Sequence, residues 1–216
     1  MTARSLVRGA AGLPSRLLRF VIGLALCAAG VWLSVEAGLG LSPWDVLHAG
    51  LSHQLGLSFG TVVVALGLAL LAVAGALGVR PGVGTVFNVV AVGVTIDHLL
   101  STRWLDNLAA TSDPTRLLVL LVAVTLLGFG AALYIGAGFG SGPRDSLMIA
   151  FHRRGLPIGP SRFAIEVVAL LVGWSLGGSV GLGTFVIALG TGPAIQTSFR
   201  LLRQEPPGPP QRPASR

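Results

Sequence analysis

Gly38-Leu39-Gly40-Leu41-Ser42-Pro43-Trp44-Asp45-Val46-Leu47 lies between two apolar runs, and Gly138-Phe139-Gly140-Ser141-Gly142-Pro143-Arg144-Asp145-Ser146-Leu147 repeats it with identity at five of ten positions. Further on, Gly82-Val83-Gly84-Thr85 recurs as Gly181-Leu182-Gly183-Thr184. Two motifs agreeing at offsets of 100 and 99 residues mark an internal duplication. Each half reads as span, Gly-rich motif, short helix, span, Gly-x-Gly-Thr turn, span. Three spans is an odd number, so the second copy is expected to enter the membrane upside down. Such inverted repeats are the architecture of many transporters, with a site where the halves meet.

Composition supports the membrane reading. Of 216 residues 52% are hydrophobic and only 11% charged, with a mean hydropathy of +0.80. A soluble domain carries about 25% charged residues. A soluble enzyme, a disulfide-rich secreted module and a disordered chain are therefore excluded. The expected fold class is an all-α integral membrane protein with six transmembrane helices, in two inverted three-span repeats, each with a short interfacial or re-entrant helix.

Charge-free intervals place the spans near 18–36, 59–78 and 84–100 in the first repeat (16–102), and near 116–136, 162–177 and 184–200 in the second (116–203). A polar Arg-rich arm (1–15) precedes them. An external linker (103–115) joins the halves, and a Pro-rich tail (204–216) reads as disordered. The apolar run after the arm resembles a signal peptide, but an uncleaved first helix fits so many later spans better.

The net charge of +7 comes from fifteen Arg and no Lys. These residues cluster at the ends of apolar stretches, which argues for loop anchors and against nucleic acid. With six alternating spans, only Arg103 and Arg116 fall on one side and the other thirteen on the opposite side. That bias places both termini in the cytoplasm. The lack of Lys alongside abundant Ala, Gly, Val and Arg suggests a GC-rich bacterial genome.

Ser42-Pro43-Trp44-Asp45 has the grammar of a helix start: Ser as N-cap, Pro at the first position, Asp at the third, able to accept from free amides. Gly142-Pro143-Arg144-Asp145 repeats it. The helices that follow, 43–55 and 143–154, are about 18–20 Å long, too short to cross. Two placements are open. The helices lie in the interface, or the Gly-rich loops dip so that both helix N-termini approach the midplane. By itself Arg144 reads as an inner-surface anchor.

Ser42, Pro43, Asp45, Thr85, Asn88, Pro143, Arg144, Asp145 and Thr184 are the candidate pathway or motif residues. Asp97 and Glu166 are the ionisable candidates, close to span ends and without ionisable counterparts in the other half. Asn88, one turn after Thr85, is the most central polar residue. The single Cys27 forms no internal disulfide. His48, His53, His98 and His152 do not share a face, so no metal is expected and no cofactor is implied. Phe139-Gly140-Ser141-Gly142 lacks the first Gly of an intramembrane Ser protease element, and no nucleophile and base assemble, so the chain is not expected to be an enzyme. Gly173-x-x-x-Gly177-x-x-x-Gly181 and Gly136-x-x-x-Gly140 mark close helix contacts, within the chain or in a homodimer.

Through these motifs, together with Arg80-Pro81-Gly82-Val83-Gly84-Thr85, the chain resembles the bacterial YczE-type membrane proteins, allied to the YitT group, from about Phe20 to Arg203. The resemblance implies a bacterial plasma-membrane protein and carries no catalytic or binding assignments. The function expected from the residues is a transporter or channel for a small solute in the lipid bilayer. The alternative is a non-transporting scaffold or assembly factor acting on other membrane components.

Overall fold

A computed structural model describes residues 12–79, 81–140 and 142–204. Arg80, Ser141, most of the arm and nearly all of the Pro-rich tail lie outside the described residues. Among those described, the chain forms eight α-helices and one short 3-10 turn, with no strand. The helices are α1 (Leu13–Ala37), α2 (Pro43–Leu55), α3 (Phe59–Ala76), α4 (Val83–Ser101), α5 (Asp113–Ala137), α6 (Pro143–Arg153), α7 (Ile158–Ser175) and α8 (Leu182–Leu201). Helix α1 begins inside the expected arm, because Pro14 seats its first turn where a missing N–H costs nothing.

Five of these, α1, α3, α4, α5 and α7, are long and apolar enough to cross a membrane. Helix α8 has the length, at 20 residues, but Thr, Gln, Ser and Arg side chains dilute its hydropathy. Large apolar side chains stand exposed on the outer faces, including Leu118, Phe163, Val168, Trp174, Phe185 and Leu189. In water such a surface would aggregate; against lipid it is the natural exterior.

Helices α1 and α5 cross antiparallel at the centre, and glycine sets how close they come. A β-carbon at Gly23 would lie 2.8 Å from the Gly130 carbonyl oxygen, and one at Gly30 2.9 Å from that of Ala123. The ends are tied by two arginines placed 100 residues apart. Arg16 donates to the Ala137 carbonyl at 3.0 and 3.1 Å. Arg116 donates to the Ala37 carbonyl at 2.8 Å and to that of Gly38 at 2.7 Å. Each guanidinium thus satisfies carbonyls that the partner helix leaves free at its C-terminus.

Around this pair the halves exchange elements. Helix α4 packs on α1 and α8 on α5, whereas α2 packs on α7 and α6 on α3. The loops interlock too: Gly183 N donates to Leu39 O at 2.7 Å and Leu41 N to Ser179 O at 3.2 Å. Gly40 leaves room for Thr184, and Gly140 for Thr85. The glycines with positive φ fall into four matched pairs, 38 with 138, 40 with 140, 56 with 155 and 78 with 177. Side chains adopt that region only at a cost, so the duplicated glycines impose the same turns twice.

Candidate functional site

The site grows from the starts of α2 and α6. Ser42 caps α2, accepting from the Asp45 amide at 3.3 Å. With that amide taken, the Asp45 carboxylate accepts from the Ser42 hydroxyl, and one turn on it meets His48 Nδ1 at 3.3 Å. Free amides are therefore not what the Asp45 carboxylate serves. It is 5% exposed and His48 4%, and the edge of the imidazole packs on Phe59. Helix α6 has Gly142 where α2 has Ser42, so no side chain caps it. Asp145 accepts from the Gly142 backbone instead.

The two N-terminal ends converge. The Arg144 guanidinium lies 4.9 Å from the centre of the Trp44 ring, and these residues occupy the same place in the duplicated motif. The C-terminal ends diverge. Gln54 Nε2 donates to Leu176 O at 3.2 Å, at the end of α7. Arg153 and Arg154 donate to Gly78 and Leu77 carbonyls, at the end of α3, at 3.1 and 3.0 Å.

A cavity of about 490 Å³ opens where the N-termini meet. Trp44, His48, Asn88, Tyr134, Arg144 and Asp145 supply its polar and aromatic lining, with Val31, Leu127, Ile165 and Ile195 among its apolar walls. Arg144 keeps accessible surface although protein surrounds it, because it faces this space. It is therefore a cavity residue rather than a surface anchor. Among the described residues no carboxylate lies within ion-pair distance of it; the ion pairs present are Asp45–His48, Asp113–Arg116 and Arg162–Glu166. One end of the cavity reaches the last of these, an exposed pair closed at 3.0 Å.

Of the residues singled out from sequence, Asn88, Pro143, Arg144, Asp145 and Glu166 line the cavity, and Ser42, Pro43, Asp45, Thr85, Asp97 and Thr184 do not. Thr85 and Thr184 are buried against the Gly140 and Gly40 turns. Trp44, Tyr134 and His48 were missed as lining groups. The offset of 100 pairs Trp44 with Arg144 and could have found the first of them. Among the described residues no cluster of three metal-ligating side chains forms. Of the small-residue stripe, Gly173 and Gly181 are used inside the chain, against Leu47 and Leu39.

Asp97 does something else. Its Oδ1 accepts from Gly60 N at 2.6 Å, and its Oδ2 accepts from Thr61 N at 3.1 Å and from the Ser58 hydroxyl. The carboxylate of α4 thus caps the N-terminus of α3, a favourable end for an anion. Below it α3 and α4 pack so closely that a β-carbon at Gly60 would strike the Gly93 carbonyl. At an offset of 99, Gly159 and Gly192 occupy the same places on α7 and α8, yet a β-carbon at either meets nothing within 4 Å. Helices α7 and α8 barely touch, and the cavity runs between them. Gln196 stands where the first half has Asp97, and Pro157 and Pro160, without N–H groups, stand where it has Ser58 and Thr61.

Residues 14–200 match a family of unknown function, DUF6198. The chain is 35% identical to the uncharacterized membrane protein YczE of Bacillus subtilis, covering 83% of each chain. It is 32% identical to an uncharacterized protein of Haemophilus influenzae, over 86% of this chain and 84% of the relative. The uncharacterized B. subtilis protein YyaS is 28% identical, over 76% of this chain and 83% of the relative. No solved structure matches. The chain therefore belongs to the DUF6198 family, and it is a membrane protein.

Proposed function

We propose that this member of the DUF6198 family carries a small solute across the bacterial plasma membrane by exposing one central cavity to each side in turn. In this reading α1, α3, α4, α5, α7 and α8 are six spans in two inverted repeats, both termini are cytoplasmic, and α2 and α6 are re-entrant. Meeting N-termini with diverging C-termini support re-entrance, and the arginine ties, matched glycines and exchanged helices support the repeat. The cavity then opens toward the cytoplasm, at Arg162–Glu166.

One observation carries the proposal. The Gly60–Gly93 contact closes one helix pair, and the same glycines at 159 and 192 stand open in the other. Exchanging these two conformations between the repeats would close the cytoplasmic opening and create an external one, with little change in either repeat's own geometry.

The test uses Pro157→Cys with Gln196→Cys, at the places of Ser58 and Asp97, whose side chains touch in the closed pair, on a Cys27→Ser background with a reporter at Asn88→Cys. Disulfide formation needs Cα atoms within about 7 Å, so the pair crosslinks only if α7 and α8 close. The expected result is a crosslink that moves Asn88→Cys labelling by an impermeant thiol reagent from the cytoplasmic to the external side. Labelling from one side only, with no crosslink under oxidation, would reject transport by this route and favour a non-transporting role.

A further inference from the structure

We infer that the cavity binds an organic anion, a carboxylate- or phosphate-bearing molecule with an apolar body, whose charge is held by Arg144. The inference rests on the transporter reading and specifies what is carried. The acidic groups around Arg144 are Asp45, Tyr134, Asp145 and Glu166. Each carboxylate among them already has a partner: Asp45 has Ser42 and His48, Glu166 has Arg162, and Asp145 has the Gly142 backbone. The guanidinium is left with its fork of donors facing the cavity and no acceptor among the described residues.

An unpaired cation at this depth is costly unless something negative joins it. One further feature favours an anion. The Trp44 ring lies 4.9 Å from the guanidinium, a cation–π contact that restrains the fork used in bidentate carboxylate or phosphate recognition. The space of about 490 Å³ and its mainly aliphatic walls suit an organic molecule better than a bare inorganic ion.

Two sources share this chemistry. Beside the cavity a shallow apolar groove, lined by Leu47, Leu66 and Val168, shares Trp44, Leu70 and Ile165 with it. A soluble organic acid or the headgroup of an anionic lipid could therefore reach Arg144.

The experiment reads Trp44 fluorescence in full-length protein carrying Trp32→Phe, Trp104→Phe and Trp174→Phe, in phosphatidylcholine nanodiscs. Hexanoate and hexyl phosphate are titrated against hexanol and hexylammonium, and a parallel sample contains phosphatidylglycerol. A saturable response to the two anions alone assigns the site to soluble organic anions. A shifted spectrum only with phosphatidylglycerol assigns it to the lipid. Either upholds the inference, provided Arg144→Lys weakens the response about tenfold or more, since an ammonium lacks the planar fork. Arg144→Gln should abolish it; if that variant does not fold, the lysine variant decides.

Equal responses to hexanoate, hexanol and hexylammonium, or no response to any probe in either lipid, would overturn the inference. The two readings fail separately. If the anion is not the solute, Asn88→Cys accessibility still switches sides; if there is no transport, anions bind and accessibility never switches.

Discussion

Helices α3 and α4 flank one Gly-x-Gly-Thr turn and α7 and α8 its match 99 residues on, yet one pair is shut and the other stands apart. Both carry the glycines that meet at 60 and 93, but Gly67, against which Val89 packs in the first pair, is Glu166 in the second, so the contact surface itself differs. The helix start differs too. On the first pair a carboxylate gathers two amides and a hydroxyl; on the second Gln196 stands at the carboxylate's position and Pro157 and Pro160 at those of Ser58 and Thr61, so the hydroxyl and one of the two amides are missing. The first pair thus holds a capping interaction that the second lacks. In the proposed transport cycle that interaction acts as a latch on the closed pair.

The latch is where the comparison breaks most easily. Asp97→Ala leaves Gly60 N without its acceptor, while Thr61 N keeps Ser58 Oγ and the Ser58 hydroxyl keeps Thr61 Oγ1; charge-assisted bonds of the kind lost are worth about 1.5–3 kcal/mol when well sheltered. Discounting for partial exposure, the closed α3–α4 pair should lose about 2 kcal/mol, a population shift on the order of thirtyfold. External labelling of Asn88→Cys should then rise steeply; unchanged labelling would mean that Asp97 only caps a helix.

Alanine at the paired glycines sharpens the same contrast. Gly60→Ala drives a β-carbon into the Gly93 carbonyl, so unfolding in detergent should show a loss of about 2 kcal/mol from overpacking. Gly159→Ala meets open space and should change stability by about 0.5 kcal/mol or less. It should nevertheless suppress the crosslink between Pro157→Cys and Gln196→Cys, because the closed state it obstructs is the one not occupied here. Equal destabilisation by the two alanines would remove the asymmetry on which the transport reading rests.

The arginine ties test where the halves are alike. Arg16→Gln and Arg116→Gln each free carbonyls at the end of the opposite central helix, and each should cost about 1–2 kcal/mol. Near-equal losses in thermal unfolding are the expected outcome. A tenfold disparity in the corresponding equilibrium constants would show that only one end of the α1–α5 pair bears load.

The smallest effect is at the caps. Ser42→Ala should cost about 1 kcal/mol. Gly142→Ser, with Tyr134 Oη 3.5 Å and Asp145 Oδ2 3.6 Å from the new β-carbon, should recover a few tenths of that at α6.

Much of the architecture was legible in advance. The bounds of α2 could be read to the residue, because Ser42-Pro43 opens the helix and Gly56, at φ 64°, ends it. Helix α6 ends at Arg153, one residue short of the expected bound, where no such glycine follows directly. The site was less legible. Arg144 and Asp145 stood out as charges in a repeated motif, but Trp44 and Tyr134 are apolar-leaning residues in apolar surroundings. No periodicity distinguishes a cavity wall from a packed helix face or a lipid-facing one when all three are hydrophobic. Asp97 was visible as an ionisable group, and its role was not, since its donors lie 36 to 39 residues away.

Composition and the duplicated motifs by themselves determined a membrane protein of helices, the turns that glycine alone permits, and the short helices that cannot span. These follow from local chemistry: transfer of apolar side chains, capping, and φ restrictions act within a few residues of one another. Only the tertiary structure decided that α2 and α6 meet at their N-termini, that Arg144 lies over Trp44 with no carboxylate of the described residues at ion-pair distance, and that one glycine pair is closed and the other open. Each of those outcomes depends on groups a hundred residues apart along the chain competing for the same space, and no local preference ranks the alternatives.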